Sequence, residues 1–233
     1  MGKLLEQIRD AAVDSSTDIG EVLRRALVLA NRLGLTDLQE WIESELNGYP
    51  ESVNLPDYRY TTVNSVGYFS GPAGSALNNA PIPLGNLPEE IRKALSKLRL
   101  PQPAAAYQRL AKDATGGFLI VDWPPDVVAQ YAGEFYAGMN CIKAVRQVPV
   151  SVVVSLVEAV RNRLLRFVLE LETTNPDAGE AVGPLPPVQR ERVENIFQTH
   201  ILGSTVANLA VGGINFEQSA TVVITRATSG PWN

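Results

Sequence analysis

Among 233 residues there is one cysteine and one histidine. A single thiol, Cys141, excludes an intramolecular disulfide and a cysteine-based zinc cage, and fits a reducing cytoplasm. With neither a CxxC partner nor a basic neighbour at fixed spacing to lower its pKa, it reads as a small core residue. The single imidazole, His200, rules out two-histidine metal sites, and any Ser-His-Asp triad would have to be built around it. Its setting, Thr199-His200-Ile201, carries no serine motif or carboxylate, so it reads as a surface or partly buried strand histidine. Aromatic residues make up only 7%, which leaves the core to the plentiful valine, leucine and alanine. Positive charge is also short. Lys and Arg number 20 against 25 Asp and Glu, a net charge of -5, which opposes a generally basic nucleic-acid binder.

Long apolar runs are missing too. The most apolar one, Val150 to Val157, is followed by Glu158, Arg161, Arg163 and Arg166, and it falls short of the ~20 residues a membrane-spanning helix needs. The opening stretch MGKLLEQIRDAA is interrupted by Glu6, Arg9 and Asp10 and has no apolar h-region, so no secretion signal is expected. The expected location is the cytoplasm.

What is present divides into three regions. Up to about Tyr49 the apolar spacing predicts three short helices. Leu4, Leu5, Ile8 and Ala12 form the first stripe. The second starts at Asp18, an N-cap with Glu21 three residues on, and stops at Gly34. Thr36 caps the third, which bears Leu38, Trp41, Ile42 and Leu46 and ends at Gly48 and Pro50. A mixed region follows, with strands over Tyr58 to Phe69, Phe118 to Trp123 and Cys141 to Val148, a loop from Ser70 to Gly85, and helices after Pro88 and after Pro124-Pro125. The strongest helix spans about Pro149 to Leu171, with Val153, Val157, Val160, Leu164, Phe167 and Leu171 on one face and Arg161, Arg163 and Arg166 opposite. The Pro- and Gly-dense stretch TTNPDAGEAVGPLPP then reads as a linker. Beyond it, β-branched residues, asparagines and glycines over Asn195 to Thr225 favour short strands.

The expected fold class is therefore α+β: a mainly helical domain with a small sheet over 1–174, a linker over 175–187, and a β-rich segment over 188–233. Short strands with few charges cannot satisfy their own edges and tend to pair with another subunit. Ile201, Val206, Leu209, Val211, Ile214, Phe216, Val222 and Ile224 are the candidate self-association residues, making a second copy of the chain the first expected partner.

Catalytic motifs are weak throughout. Glu40, Glu43 and Glu45 invite a test for magnesium-dependent chemistry, but Glu40 and Glu43 fall on an exposed helical face, where solvated carboxylates are the rule. Gly71-Pro72-Ala73-Gly74 lacks the GK[ST] of a phosphate loop, and its proline removes an N–H donor. Arg24-Arg25 and Arg161, Arg163 and Arg166 read as solvated helix faces. No metal and no cofactor are expected.

One further pattern covers much of the chain. The Asp10 to Asp18 break, Leu23-Arg24-Arg25, Ala30-Asn31-Arg32-Leu33-Gly34, Trp41-Ile42-Glu43-Ser44-Glu45-Leu46-Asn47-Gly48-Tyr49 and Leu55-Pro56-Asp57-Tyr58-Arg59 together resemble the AbiTii domain of prokaryotic abortive-infection loci. VEAVRNRLLRFVLELE resembles that family's second block, so the likeness spans roughly residues 3 to 172. The resemblance implies a role in phage defence, with other defence-system or phage components as partners, and brings no catalytic residues with it. Glu43, Glu45, Asp57, Tyr58 and Arg59 are the candidate binding surface of the motif, with Asp57 and Arg59 as an ion pair or a recognition surface. The leading expectation is a non-enzymatic binding and assembly protein. A metal-dependent nuclease or nucleotide-hydrolysing toxin, and a membrane-perturbing effector inserting residues 201–223 after oligomerisation, are the alternatives.

Overall fold

The computed structural model describes residues 3–180 and 187–203, with the side chains of 187 and 188 excepted. Three helices open the chain: α1 (Leu4–Val13), α2 (Ile19–Leu33) and α3 (Thr36–Asn47). Asp18 caps α2 by accepting from the Gly20 amide, and Gly34 ends it in the left-handed conformation, both as the sequence predicts. Leu35, rather than Thr36, holds the cap position of α3.

The mixed region contributes β1 (Tyr60–Thr62), β2 (Asn64–Ser70), β3 (Ala76–Pro81), α4 (Glu89–Ser96), β4 (Lys97–Arg99), α5 (Ala104–Asp113), β5 (Phe118–Asp122), α6 (Pro125–Tyr131) and β6 (Asn140–Pro149). Four strands make an antiparallel sheet in the order β3-β2-β6-β5, and β1 pairs with β4 in a separate ribbon, Tyr60 opposite Arg99. The stretch expected as a loop from Ser70 to Gly85 holds β3. Its prolines and glycines bracket the strand rather than break it, and β3 is an edge strand, where proline is tolerated. Helix α5 has no counterpart in the sequence reading.

β6 runs directly into the long helix α7 (Val150–Thr174), about 37 Å at ~1.5 Å per residue. Helices α1, α2, α3, α5 and α7 enclose the larger core, which includes Leu5, Ile8, Leu29, Ile42, Val160, Leu164 and Phe167. A second core lies between one face of the sheet and α4 and α6. There Phe69 meets Phe135 and Tyr136 edge-on, with ring centres 6.2 and 4.8 Å apart. Cys141 is buried in this core as expected, and burial pushes its thiol pKa up.

Arg161 does not sit on a solvated face. It is 3% exposed, and its guanidinium donates to the carbonyls of Ala11, Asp14 and Thr17 at 3.2, 3.1 and 2.8 Å, closing the C-terminal end of α1. Four residues after Val157 and three before Leu164, it lies on the core stripe of α7. The β-rich segment expected over 188–233 is overturned in its described part. Residues 187–202 are helical, as α8 (Pro187–Phe197) and a π-helical turn (Gln198–Leu202). Val193, Ile196, Phe197 and Ile201 recur at helical spacing and are buried in the larger core, so periodicity overrides the β-branched composition. Ile201, expected on a pairing strand, is therefore a core residue at 1% exposure. Val206, Leu209, Val211, Ile214, Phe216, Val222 and Ile224 lie outside the described residues. In the stretch read as a linker, Ala178 is buried, Arg32 donates to the Gly179 carbonyl at 2.7 Å, and Glu180 accepts from the Leu4 amide at 2.8 Å.

Candidate functional site

The residues of the Trp41 to Tyr49 and Leu55 to Arg59 motifs converge. Gly48 makes this possible. Its φ of 89° turns the chain out of α3, and a Cβ there would lie 2.9 Å from the Pro101 carbonyl oxygen. Tyr49 can then donate its amide to the Pro101 carbonyl at 2.8 Å, and Pro56 leads into a 3-10 turn, Asp57–Arg59, that points Arg59 inward.

Glu45 and Arg59 are each 0% exposed and form an ion pair. Arg59 Nε donates to Glu45 Oε1 at 3.0 Å, and Nη2 donates to Oε2. Arg59 Nη1 serves two more acceptors, the carbonyls of Leu100 and Gln102 at 2.7 and 2.8 Å. Glu45 Oε1 also accepts from the hydroxyls of Tyr49 and Tyr58, both at 2.8 Å, while Trp41 Nε1 donates to the Tyr58 hydroxyl at 2.9 Å. The guanidinium lies over the Tyr49 ring, 4.7 Å from its centre. Burial pushes the phenols of Tyr49 and Tyr58 well above the ordinary tyrosine range, and the neighbouring Glu45 charge adds to the rise. Burial also opposes the charge on Arg59, but the hydrogen bonds and charge of Glu45 outweigh it and hold that pKa up.

Above this network opens a cleft of about 570 Å³. Its walls are α3, residues 54–58, Arg163 of α7, and the end of α8 with the π-helical turn. Asp37, Glu40 and Ser44 line it from α3, Asp57 and Tyr58 from the facing segment, and Phe197, Leu202 and Gly203 from the C-terminal side. Arg163 ties the walls together. It lies over the Tyr58 ring at 4.5 Å, and its Nη1 donates to the Ile201 carbonyl at 2.7 Å and to that of His200 at 3.4 Å. His200 lies on this π-helical turn rather than on the expected strand, and its imidazole is paired with Glu170 of α7, a second tie between α7 and the turn.

The five motif candidates thus part company. Glu45, Tyr58 and Arg59 share the network. Asp57 is exposed on the cleft rim and is not the partner of Arg59, as the ion-pair expectation had it. Glu43 is exposed and lines no part of the cleft. Glu40, Glu43 and Glu45 do not converge, and among the described residues no group of three His, Cys, Asp or Glu side chains could hold a metal ion. No helix among them is long and apolar enough to cross a membrane. The sequence reading missed Tyr49, Arg163 and the α8 wall. Tyr49 closes the Trp41 to Tyr49 motif, a usable signal, although it lies beyond the end of α3, whereas Arg163 is separated from Tyr58 by more than a hundred residues and carries none.

A family model described as AbiTii matches residues 3–196. No curated protein matches the chain, and no solved structure does.

Proposed function

The chain belongs to the AbiTii family, and from that membership together with the cleft we propose that it serves abortive infection, a form of phage defence, as a binding protein rather than a catalyst. One observation carries this reading: the most deeply buried polar residues of the family motif spend their hydrogen-bonding groups on one another. Arg59 and Glu45 answer each other, two tyrosines and two backbone carbonyls. A network so consumed supports a surface and leaves little free to act on a substrate. The open cleft above it, with its aromatic floor and charged rim, is where a partner would bind.

Self-association is assigned to residues 204–233, on their β-branched, glycine-punctuated composition. Light scattering on the full chain and on a chain ending at Gly203 checks this. An oligomer for the first and a monomer for the second is the expected result; two monomers contradict the assignment. The binding reading is checked in cells by plaque assay. Asp57→Lys and Leu202→Arg change the cleft rim without touching the Glu45–Arg59 pair, and both should abolish phage restriction while leaving the melting temperature in place. Full restriction by both variants contradicts it.

A further inference from the structure

Charge is unevenly distributed around the cleft. Asp37 and Glu40 stand three residues apart on α3, and Asp57 stands on the facing segment; all three are exposed and all three line it. None of these carboxylates has a hydrogen-bond or ion-pair partner among the described residues, although acids elsewhere do, such as Glu21 with Arg25 and Glu172 with Arg9. The one cation of the wall among the described residues, Arg163, is held against Tyr58 and two backbone carbonyls. Its Nε and Nη2 have no hydrogen-bond partner among the described residues. On the C-terminal lip Leu202 is 49% exposed, an apolar side chain beside the charged rim.

Three unpaired carboxylates repel phosphate, which counts against a nucleic-acid ligand. A bare metal ion fits no better, since the described acids form no group that could hold one. We propose that the cleft takes a basic, partly apolar peptide segment of a partner protein. Lysine or arginine side chains would meet Asp37, Glu40 and Asp57, an apolar side chain would pack on Leu202, and a backbone carbonyl would accept from the spare donors of Arg163. This rests on the binding reading above and adds the chemical class of the ligand.

The test uses the full chain and two fluorescent octapeptides, one alternating lysine with leucine and the other glutamate with leucine, read by polarisation. The lysine peptide binds and the glutamate peptide does not, and binding weakens as salt is raised from 50 to 300 mM, as exposed charges require. Asp37→Asn with Asp57→Asn weakens it about tenfold, Leu202→Ser weakens it too, and Asp126→Asn, on α6 in the sheet region, leaves it unchanged. Equal binding of the two peptides, binding of neither, no effect of the double substitution, or displacement by an equal concentration of spermidine overturns the proposal. So does dimerisation that the double substitution abolishes, which would assign the cleft to a second copy of the chain. The plaque assay separates the two failures. Rim variants that abolish restriction while the lysine peptide fails to bind leave the binding reading standing and remove the ligand class; rim variants that restrict fully remove both.

Discussion

Among the described residues two guanidinium groups are buried, those of Arg59 and Arg161, and different means neutralise them. Arg59 meets a carboxylate that is as buried as itself, and the pair is completed by two tyrosines and two carbonyls. Arg161 has no such partner. It donates to three carbonyls where α1 ends, and its nearest carboxylate oxygen, on the half-exposed Glu158, is 3.7 Å from a Nε that makes no hydrogen bond. The first arrangement concentrates opposite charges at one point beneath the cleft. The second spreads one charge over the negative end of a helix and fastens α1 to α7. An arginine used as a backbone clamp depends on where the helices lie, whereas the Arg59 site depends on the identity of a single side chain.

The same chemical change at the two sites should therefore have very different results. Glu45→Gln leaves Arg59 buried beside a neutral partner and should lower stability by about 3–5 kcal/mol, read as the urea midpoint at constant slope. Removing Arg59 as well, as Glu45→Gln with Arg59→Met, should cost less than the sum of the two single changes. Arg161→Met strands the carbonyls at the end of α1 and should cost about 1–3 kcal/mol, most visibly as faster amide exchange in α1. Tyr58→Phe leaves the Trp41 N–H without its acceptor and should cost about 1–2 kcal/mol.

Tyr58→Phe also bears on pH. Folded Tyr49 and Tyr58 hold their protons to higher pH than the unfolded chain does, so above pH ~10 the unfolded state binds fewer protons and stability falls as pH rises. Thermal melts between pH 9 and 11 should show this fall, and Tyr58→Phe should make it shallower. Glu158→Gln, the counterpart of Glu45→Gln at the other arginine, should cost only a fraction of a kcal/mol. A loss as large as that of Glu45→Gln would erase the distinction between the two sites.

The sequence made some of this legible and hid the rest for physical reasons. Helix boundaries set by local chemistry, such as Asp18, Gly34 and Gly48, could be read directly, because a cap or a left-handed turn involves residues a few positions apart. The long α7 was plain from its apolar period. The charge of Arg161 points to solvent while its spacing from Val157 and Leu164 puts it on the buried stripe, and the carbonyls at the end of α1 let position win. Composition misled at Asn195 to Leu202, where β-branched residues sit at helical spacing and tertiary packing decides. At the site, the motif residues were legible as a set, but their division into a buried network and an open rim was not. Glu43 and Glu45 are two positions apart, and only the orientation of α3 separates solvent from core.

The proposed function makes the buried motif residues the support of a surface and the cleft rim the part that acts. Its most direct test is phage restriction by full-length Asp57→Lys, in a strain where the unmodified chain lowers plating at least tenfold, alongside the variant's melting curve. Plating restored to the level of cells lacking the protein, with an unchanged melting temperature, is the predicted result. Undiminished restriction by that variant would contradict a function carried by the cleft rim.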